Sequence, residues 1–141
     1  MAFGSADYAL DLGINRTKDG TELDYARASI PIACRAARIT APIDTPYMMD
    51  LKDLDALKRE ALKAKNWGYQ GKLVIHPNQI QPCNDIFSPS KEEINRARKV
   101  IEAFEKAEAD GLAAIQLDGE FVDYAIVERS KKIVKLAEFV E

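Results

Sequence analysis

The segment Lys72-Leu73-Val74-Ile75-His76-Pro77 is a short apolar run closed by a proline, a pattern typical of a buried strand. Two further runs of this kind precede it, at residues 1–6 and 40–44. Apolar stripes with helical spacing lie between the runs, over residues 23–37 and 53–66. This alternation of strand and helix predicts an α/β fold with parallel strands.

Prolines are expected to break the pattern in two places. Pro31 lies inside the first helical stripe, where the loss of one hydrogen bond should kink or interrupt the helix. Residues 78–89 contain Pro82 and Pro89 and are predicted to be irregular.

The carboxyl-terminal part has its own local signals. Ser90 with Glu93 forms a capping box that predicts the start of a helix. The dipeptide Asp118-Gly119 is the preferred two-residue turn of a β-hairpin. A last helix is predicted to follow Asp123. The residues expected on its apolar face are Ile126, Ser130, Ile133, Ala137 and Val140.

Composition places the chain among soluble globular proteins. Its 141 residues make a domain of ordinary size, and 47% of them are hydrophobic and 30% charged. A formal net charge of −3 gives no broad electrostatic reason to bind nucleic acid or an anionic membrane. The sequence shows no signal peptide and no apolar run near the ~20 residues that span a bilayer. We therefore expect a cytoplasmic protein.

Three predicted strands each deliver an ionisable residue to one rim. In parallel α/β folds ligands bind outside the carboxyl ends of the strands. Asp7, Asp44 and His76 follow the three strand ends. A strand-end aspartate is also a common turn former, so the pattern alone leaves the nature of the site open.

The motifs resemble those of the citrate lyase β-subunit family (HpcH/HpaI aldolase-like), which includes malyl-CoA and citramalyl-CoA lyases. The matching segments run in family order over nearly the whole chain. They are Phe3-Gly-x-x-Asp7-Tyr8-x-x-Asp11-Leu-Gly13, Glu22-Leu-x-Tyr25-Ala-Arg27, Ile43-Asp44-x-Pro46, Gly71-Lys72-x-x-Ile75-His76-Pro77-x-Gln79-Ile80, Phe87-Ser-Pro89-Ser90 and Asp118-Gly119-x-x-Val122-Asp123.

The resemblance implies a partial (β/α)8 TIM barrel. Residues 1–88 would hold about strands six to eight. Residues 89–141 would hold the last barrel helix and a hairpin-helix extension. The resemblance further implies that Asp7 binds Mg²⁺ together with a Glu that is missing from these residues; a helix cap or turn is its structural alternative.

The resemblance also assigns the other site residues. Asp123 would act as acid and base on the acyl group in a neighbouring subunit's active site, although Ala125 stands where the family usually has Pro. An N-cap is the alternative role for Asp123. Asp44, Pro46, His76 and Pro77 would line the coenzyme A pocket, or else form turns and strand ends.

The implied function is a Mg²⁺-dependent carbon–carbon lyase. It would cleave a citryl-, malyl- or citramalyl-type thioester of CoA or acyl carrier protein into an acyl thioester and a keto acid. A homo-oligomer is expected, with a trimer favoured. The alternative is a catalytically inactive fragment, or one piece of a split enzyme that needs a partner chain.

Overall fold

A computed structural model describes residues 1–139 and divides the chain into two compact units, Met1–Phe87 and Ser88–Glu141. The first unit contains α1 (Ser5–Leu12), α2 (Asp24–Ala36), β1 (Ile43–Asp44), α3 (Leu54–Trp67), β2 (Gly71–Lys72) and α4 (Ile80–Phe87), with single 3₁₀ turns at Thr21–Leu23 and Pro77–Gln79. The second unit contains α5 (Lys91–Ala109), β3 (Ala114–Leu117), β4 (Glu120–Asp123) and α6 (Tyr124–Ala137).

The first unit is an α/β arrangement with three parallel backbone segments in chain order. Ala2 forms a parallel bridge with Ile43, and β1 pairs in parallel with β2. The segments are shorter than predicted, because α1 already begins at Ser5 and pairing after β2 ends with the Leu73 amide donating to the Asp44 carbonyl at 2.9 Å. Within residues 1–139 the parallel segments do not close into a barrel.

Two expectations based on prolines, an interruption at Pro31 and an irregular segment at residues 78–89, need correction. Helix α2 continues through Pro31 without interruption. The segment expected to be irregular forms a 3₁₀ turn and then α4, with Pro82 as the third residue of the helix. A proline is tolerated there because the amides of the first helical turn have no acceptor within the helix.

The second unit follows the predicted local plan. The capping box of Ser90 and Glu93 is present at the start of α5. Asp118 and Gly119 have φ values of 52° and 84°, as the predicted hairpin turn requires. Val100, Phe104, Val122 and Val127 form its buried core.

The apolar face of α6 differs from the prediction by one position. Val127 is buried, with 3% of its surface exposed, whereas Ile126 is 37% exposed. Ser130 and Ala137 are buried as predicted, and Val140 lies outside the described residues. No helix in the part of the chain that the structure describes is long and apolar enough to cross a membrane.

Helix α2 ends in a Schellman motif with an unfavourable residue at its left-handed position. The Ile39 amide donates to the Cys34 carbonyl at 3.0 Å, and the Arg38 amide donates to the Arg35 carbonyl at 3.1 Å. Arg38 itself has a φ of 56°, a conformation that glycine adopts without steric cost.

We expect Arg38→Gly to stabilise the protein. Relief of the left-handed strain contributes about 1–2 kcal/mol, and the more flexible unfolded chain offsets about 0.4–1 kcal/mol of it. The expected net gain in the free energy of unfolding is about 0.5–1 kcal/mol, measured by urea denaturation. Arg38→Ala is the control and should bring no such gain; an equal gain from both variants would contradict the explanation.

Candidate active-site rim

The carboxyl ends of the three parallel segments form one edge of the first unit, which we call the rim (residues 3–7, 44–47 and 73–78). Ser5 and Thr45, both buried, join two parts of it: their hydroxyl oxygens lie 2.7 Å apart, and the Ser5 amide donates to Thr45 Oγ1 at 3.3 Å. This contact brings the start of α1 beside the end of β1.

Asp7 lies in the first turn of α1, not at the end of a strand as predicted. A carboxylate in this turn complements the positive end of the helix dipole. The side chain is exposed, and among residues 1–139 no hydrogen bond or ion pair engages its carboxylate. Its oxygens therefore remain able to bind a hard cation.

A magnesium site needs more ligands than Asp7 provides. Mg²⁺ requires near-octahedral oxygen coordination, and a single carboxylate leaves it mostly hydrated. Nowhere in residues 1–139 do three histidine, cysteine, aspartate or glutamate side chains converge as a metal site would require. Asp7 fits the metal as one ligand of a larger set.

Behind the rim lies a buried charge cluster made of Arg27, Asp44, Glu60 and Lys72. Asp44 Oδ1 accepts a hydrogen bond from Arg27 Nε at 3.0 Å, and its Oδ2 accepts one from Lys72 Nζ at 2.7 Å. Glu60 Oε1 lies 2.6 Å from Lys72 Nζ and 3.1 Å from Arg27 Nη2. The side chains are fully buried, except for Glu60, which is 10% exposed.

The cluster is electrically balanced and nearly saturated. Two cations face two carboxylates, and Lys72 Nζ also donates to the Thr45 carbonyl at 2.7 Å. Burial by itself lowers the pKa of Arg27, but Asp44 and Glu60 outweigh it and raise that pKa above its ordinary value. The 3.1 Å contact from Arg27 Nη2 is an ion pair without hydrogen-bond alignment, and within the described residues 1–139 Nη1 has no hydrogen-bond partner.

This arrangement was not expected for Arg27. In the sequence Arg27 stood only within a family motif with no role assigned to it, and the structure buries it completely. Lys72 and Glu60 carried no predicted role. The motif Gly71-Lys72 was visible in the sequence, but the partners of Lys72 lie 12 and 28 residues away.

His76 and Pro77 lie exposed on the turn after β2, and Pro46 is half-buried after β1. Gln79 joins these two loops. Its buried side chain accepts a hydrogen bond from the Ile75 amide at 3.0 Å and donates one to the Tyr47 carbonyl at 2.9 Å. The structure thus brings together the loops that carry Asp44, Pro46, His76 and Pro77, and Gln79 is a positioning residue that the sequence analysis did not single out.

Asp123 lies in the second unit, at the end of β4. Its Oδ1 caps α6 by accepting hydrogen bonds from the amides of Ala125 at 3.0 Å and Ile126 at 3.1 Å. Asp123 is therefore an N-cap, which is the alternative role that the sequence analysis gave for it. Within residues 1–139 no hydrogen-bond partner contacts its Oδ2, so the cap engages only one of the two oxygens.

The charge cluster generates a stability prediction. Lys72→Met keeps the volume of the side chain but leaves Asp44 and Glu60 with one cation between them. Removing one partner of a buried ion pair costs about 3–5 kcal/mol, and we expect a loss of that size in urea denaturation.

Lys58→Met is the matched control. Lys58 is 54% exposed and lies 3.6 Å from the exposed Asp55. Its replacement should change the free energy of unfolding by no more than about 0.5 kcal/mol. If the two substitutions lower the free energy of unfolding equally, burial of the cluster does not increase its contribution to stability.

The parallel segments and the ionisable residues at their carboxyl ends define an α/β protein with an enzyme-type rim. Residues 1–77 match the family model described as HpcH/HpaI aldolase/citrate lyase. The chain belongs to this family, which confirms the resemblance inferred from the motifs.

Two relatives and one solved structure illustrate the similarity. Citrate lyase subunit beta of Escherichia coli K12 is 37% identical over 138 residues, which are 98% of this chain and 45% of that protein. Mitochondrial citramalyl-CoA lyase of Rattus norvegicus is 34% identical over 137 residues, which are 97% of this chain and 40% of that protein. The chain therefore spans less than half the length of these relatives.

The solved structure is CitE of Mycobacterium tuberculosis in complex with magnesium, acetoacetate and coenzyme A. It superimposes on 98% of this chain and 51% of its own with a TM-score of 0.77 and 26% sequence identity.

Proposed function

We propose that this chain supplies the rim and the carboxyl-terminal acid/base residue of a Mg²⁺-dependent carbon–carbon lyase. The substrate would be a citryl-, malyl- or citramalyl-type thioester, and the products an acyl thioester and a keto acid. The observation that carries the proposal is the exposed, unengaged carboxylate of Asp7 on a rim whose sequence matches a family of lyases.

Asp7 would hold the metal. When bound, Mg²⁺ supplies a Lewis acid that polarises the carbonyl and carboxylate oxygens of the keto acid. The remaining ligands, including a glutamate, would come from the part of the relatives that lies outside residues 1–141. The Ser5–Thr45 contact would position the start of α1, and Asp7 with it, against the end of β1.

In the proposed cleavage, the substrate hydroxyl gives its proton to solvent water and becomes the carbonyl of the keto acid. The carbon–carbon bond breaks, and its electron pair moves to the α-carbon of the acyl thioester as an enolate. Asp123 would return a proton to that carbon. The unengaged Oδ2 supports this role, since the carboxyl group can carry a proton while Oδ1 caps α6.

His76, Pro77 and Pro46 would contact the CoA moiety. For Asp44, direct contact with CoA remains a prediction, and in this structure both of its carboxylate oxygens are engaged by Arg27 and Lys72. We propose that Asp44 serves the site indirectly, by holding the backbone that carries Thr45 and Pro46.

An exposed apolar run supports completion of the site by further family residues. Leu73, Val74 and Ile75 are 43%, 37% and 52% exposed, directly after β2. Three consecutive exposed apolar residues next to a strand that, within residues 1–139, is paired on one side only are unusual on a solvated surface. The remaining segment, on the same polypeptide or on a partner chain, would cover them, and association into a homotrimer would bring Asp123 to a neighbour's rim.

Substitutions at Asp7 and Asp123 should separate metal binding from proton transfer. In an assembly that combines residues 1–141 with the remaining family segment, Asp7→Asn should abolish Mg²⁺-dependent turnover, since an amide lacks the charge that holds the ion. Asp123→Asn should retain Mg²⁺ affinity and lower the rate by about 10²–10⁴-fold. The measurements are acyl-thioester release with and without Mg²⁺, and calorimetry of Mg²⁺ binding.

Asp85→Asn provides a matched control, because Asp85 is outside the rim and, among residues 1–139, hydrogen-bonds only to Gln81 on its own helix. This variant should behave as the parent assembly does. Full activity of Asp123→Asn would leave that residue as a helix cap only. A folded assembly without any lyase activity would favour the alternative of a catalytically inactive chain.

A further inference from the structure

Asn78 holds the ring of the single histidine, His76, through a contact whose direction can be assigned. The amide Nδ2 of Asn78 donates a hydrogen bond to the Leu51 carbonyl at 2.8 Å. Only the nitrogen end of the amide can donate, so this bond determines which end is the oxygen. The Oδ1 atom then lies 2.7 Å from His76 Nδ1.

Two contacts demand opposite protonation of His76 Nδ1. The Asn78 backbone amide lies 3.3 Å from Nδ1 and would need a lone pair there. Asn78 Oδ1 is an acceptor at 2.7 Å and needs a proton on Nδ1. N–H···O bonds are strong between about 2.7 and 3.2 Å and weaken beyond that range. The 2.7 Å contact is therefore the stronger of the two, and it requires the proton to be on Nδ1.

We infer that Asn78 is a positioning residue that keeps neutral His76 protonated on Nδ1. Nε2 then carries the lone pair. Because the His76 side chain is exposed, this nitrogen is available to a ligand on the rim. Neutral His76 thus offers a hydrogen-bond acceptor, and the group it recognises is an N–H or O–H donor.

This tautomer excludes the ionised phosphates of a CoA thioester as partners of Nε2. The inference about the ligand rests on the proposed function, in which His76 contacts CoA. Ionised phosphate oxygens are acceptors and cannot bond to an unprotonated Nε2, whereas the amides and hydroxyl of the pantetheine arm, the ribose hydroxyl and the adenine amino group are donors. The Nε2 atom of His76 is assigned to a donor of the pantetheine arm, and titration with pantetheine alone separates this arm from the nucleoside donors.

Hydrogen bonds from Gln79 and Asn78 fix the position of the turn that carries His76. Gln79 ties the Ile75 amide to the Tyr47 carbonyl from its buried position, and Asn78 ties the His76 ring to the Leu51 carbonyl. Both bonds connect the turn after β2 to the loop after β1. The ring of His76 is therefore oriented relative to the whole rim and not only to its own backbone.

The ligand-free chain tests the tautomer directly. With one histidine in the sequence, a uniformly ¹⁵N-labelled sample gives a single pair of imidazole nitrogen resonances. Long-range ¹H–¹⁵N correlation spectra at a pH where the ring is neutral should show a protonated Nδ1 and an unprotonated Nε2. A protonated Nε2 in the wild-type chain would overturn the inference without any variant.

Variants at position 78 test the positioning role. Asn78→Ala removes Oδ1 but keeps the backbone amide near Nδ1, so the tautomer should invert to a protonated Nε2. Asn78→Asp keeps an oxygen acceptor and should preserve the wild-type tautomer. Asn66→Ala, which replaces an exposed asparagine on α3, is the control and should leave both resonances unchanged. An unchanged tautomer in folded Asn78→Ala would overturn the role of Asn78.

Ligand titration separates this inference from the proposed function. Pantetheine and coenzyme A should both move the Nε2 resonance in the direction of an accepted hydrogen bond, and inorganic phosphate should not. A response to phosphate with protonation of Nε2, or a response to coenzyme A without one to pantetheine, would overturn the assignment to the pantetheine arm. The wild-type tautomer with no response to pantetheine or coenzyme A would contradict the CoA contact and leave the role of Asn78 intact.

Discussion

The buried charge cluster is the constraint on which the first unit depends. Arg27 comes from α2, Asp44 from β1, Glu60 from α3 and Lys72 from β2, so four elements meet through their charges. A buried carboxylate without a cation is costly, and the same holds for a buried cation. Each charged side chain is therefore stable in the interior only when its partners are also in place. As a result, the pairing of β1 with β2 is coupled to the packing of α2 and α3.

Because of this constraint, Asp44 is used to hold the interior together, and other residues are exposed at the rim. Both carboxylate oxygens of Asp44 point inward, to Arg27 and Lys72. Contacts with a ligand at the rim would therefore be made by neighbouring exposed residues and not by Asp44. Thr45 links the cluster to the start of α1 through Ser5, and Lys72 Nζ contacts the Thr45 carbonyl. The exposed carboxylate of Asp7 thus stands on a helix whose first residues are connected to a charge-balanced interior.

Local signals in the sequence predicted local structure well. The capping box at Ser90, the hairpin turn at Asp118-Gly119 and the helix predicted over residues 53–66 are all present, because each depends on residues only a few positions apart. The family was also recognisable, since its motifs combine rare residue types at close spacing.

Long-range contacts limited the rest of the prediction. The segment at residues 1–6 appeared to be a strand, but Ser5 meets Thr45 across 40 residues and α1 begins there. The burial of Arg27 depends on Asp44 and Glu60, neither of which is near it in sequence. Asp123 could be placed at a helix start, but the acid/base role proposed for it would depend on groups outside its own unit.

Hydrogen exchange at the amides that join the parallel segments tests the central claim most directly. These amides belong to Phe3, Ile43 and Leu73. In Asp44→Ala their exchange should accelerate about a hundredfold or more, since about 3–5 kcal/mol of pairing is lost. Asp55→Ala, at a side chain that is 81% exposed, should leave them unchanged. Unchanged protection of all three amides in folded Asp44→Ala would contradict the account.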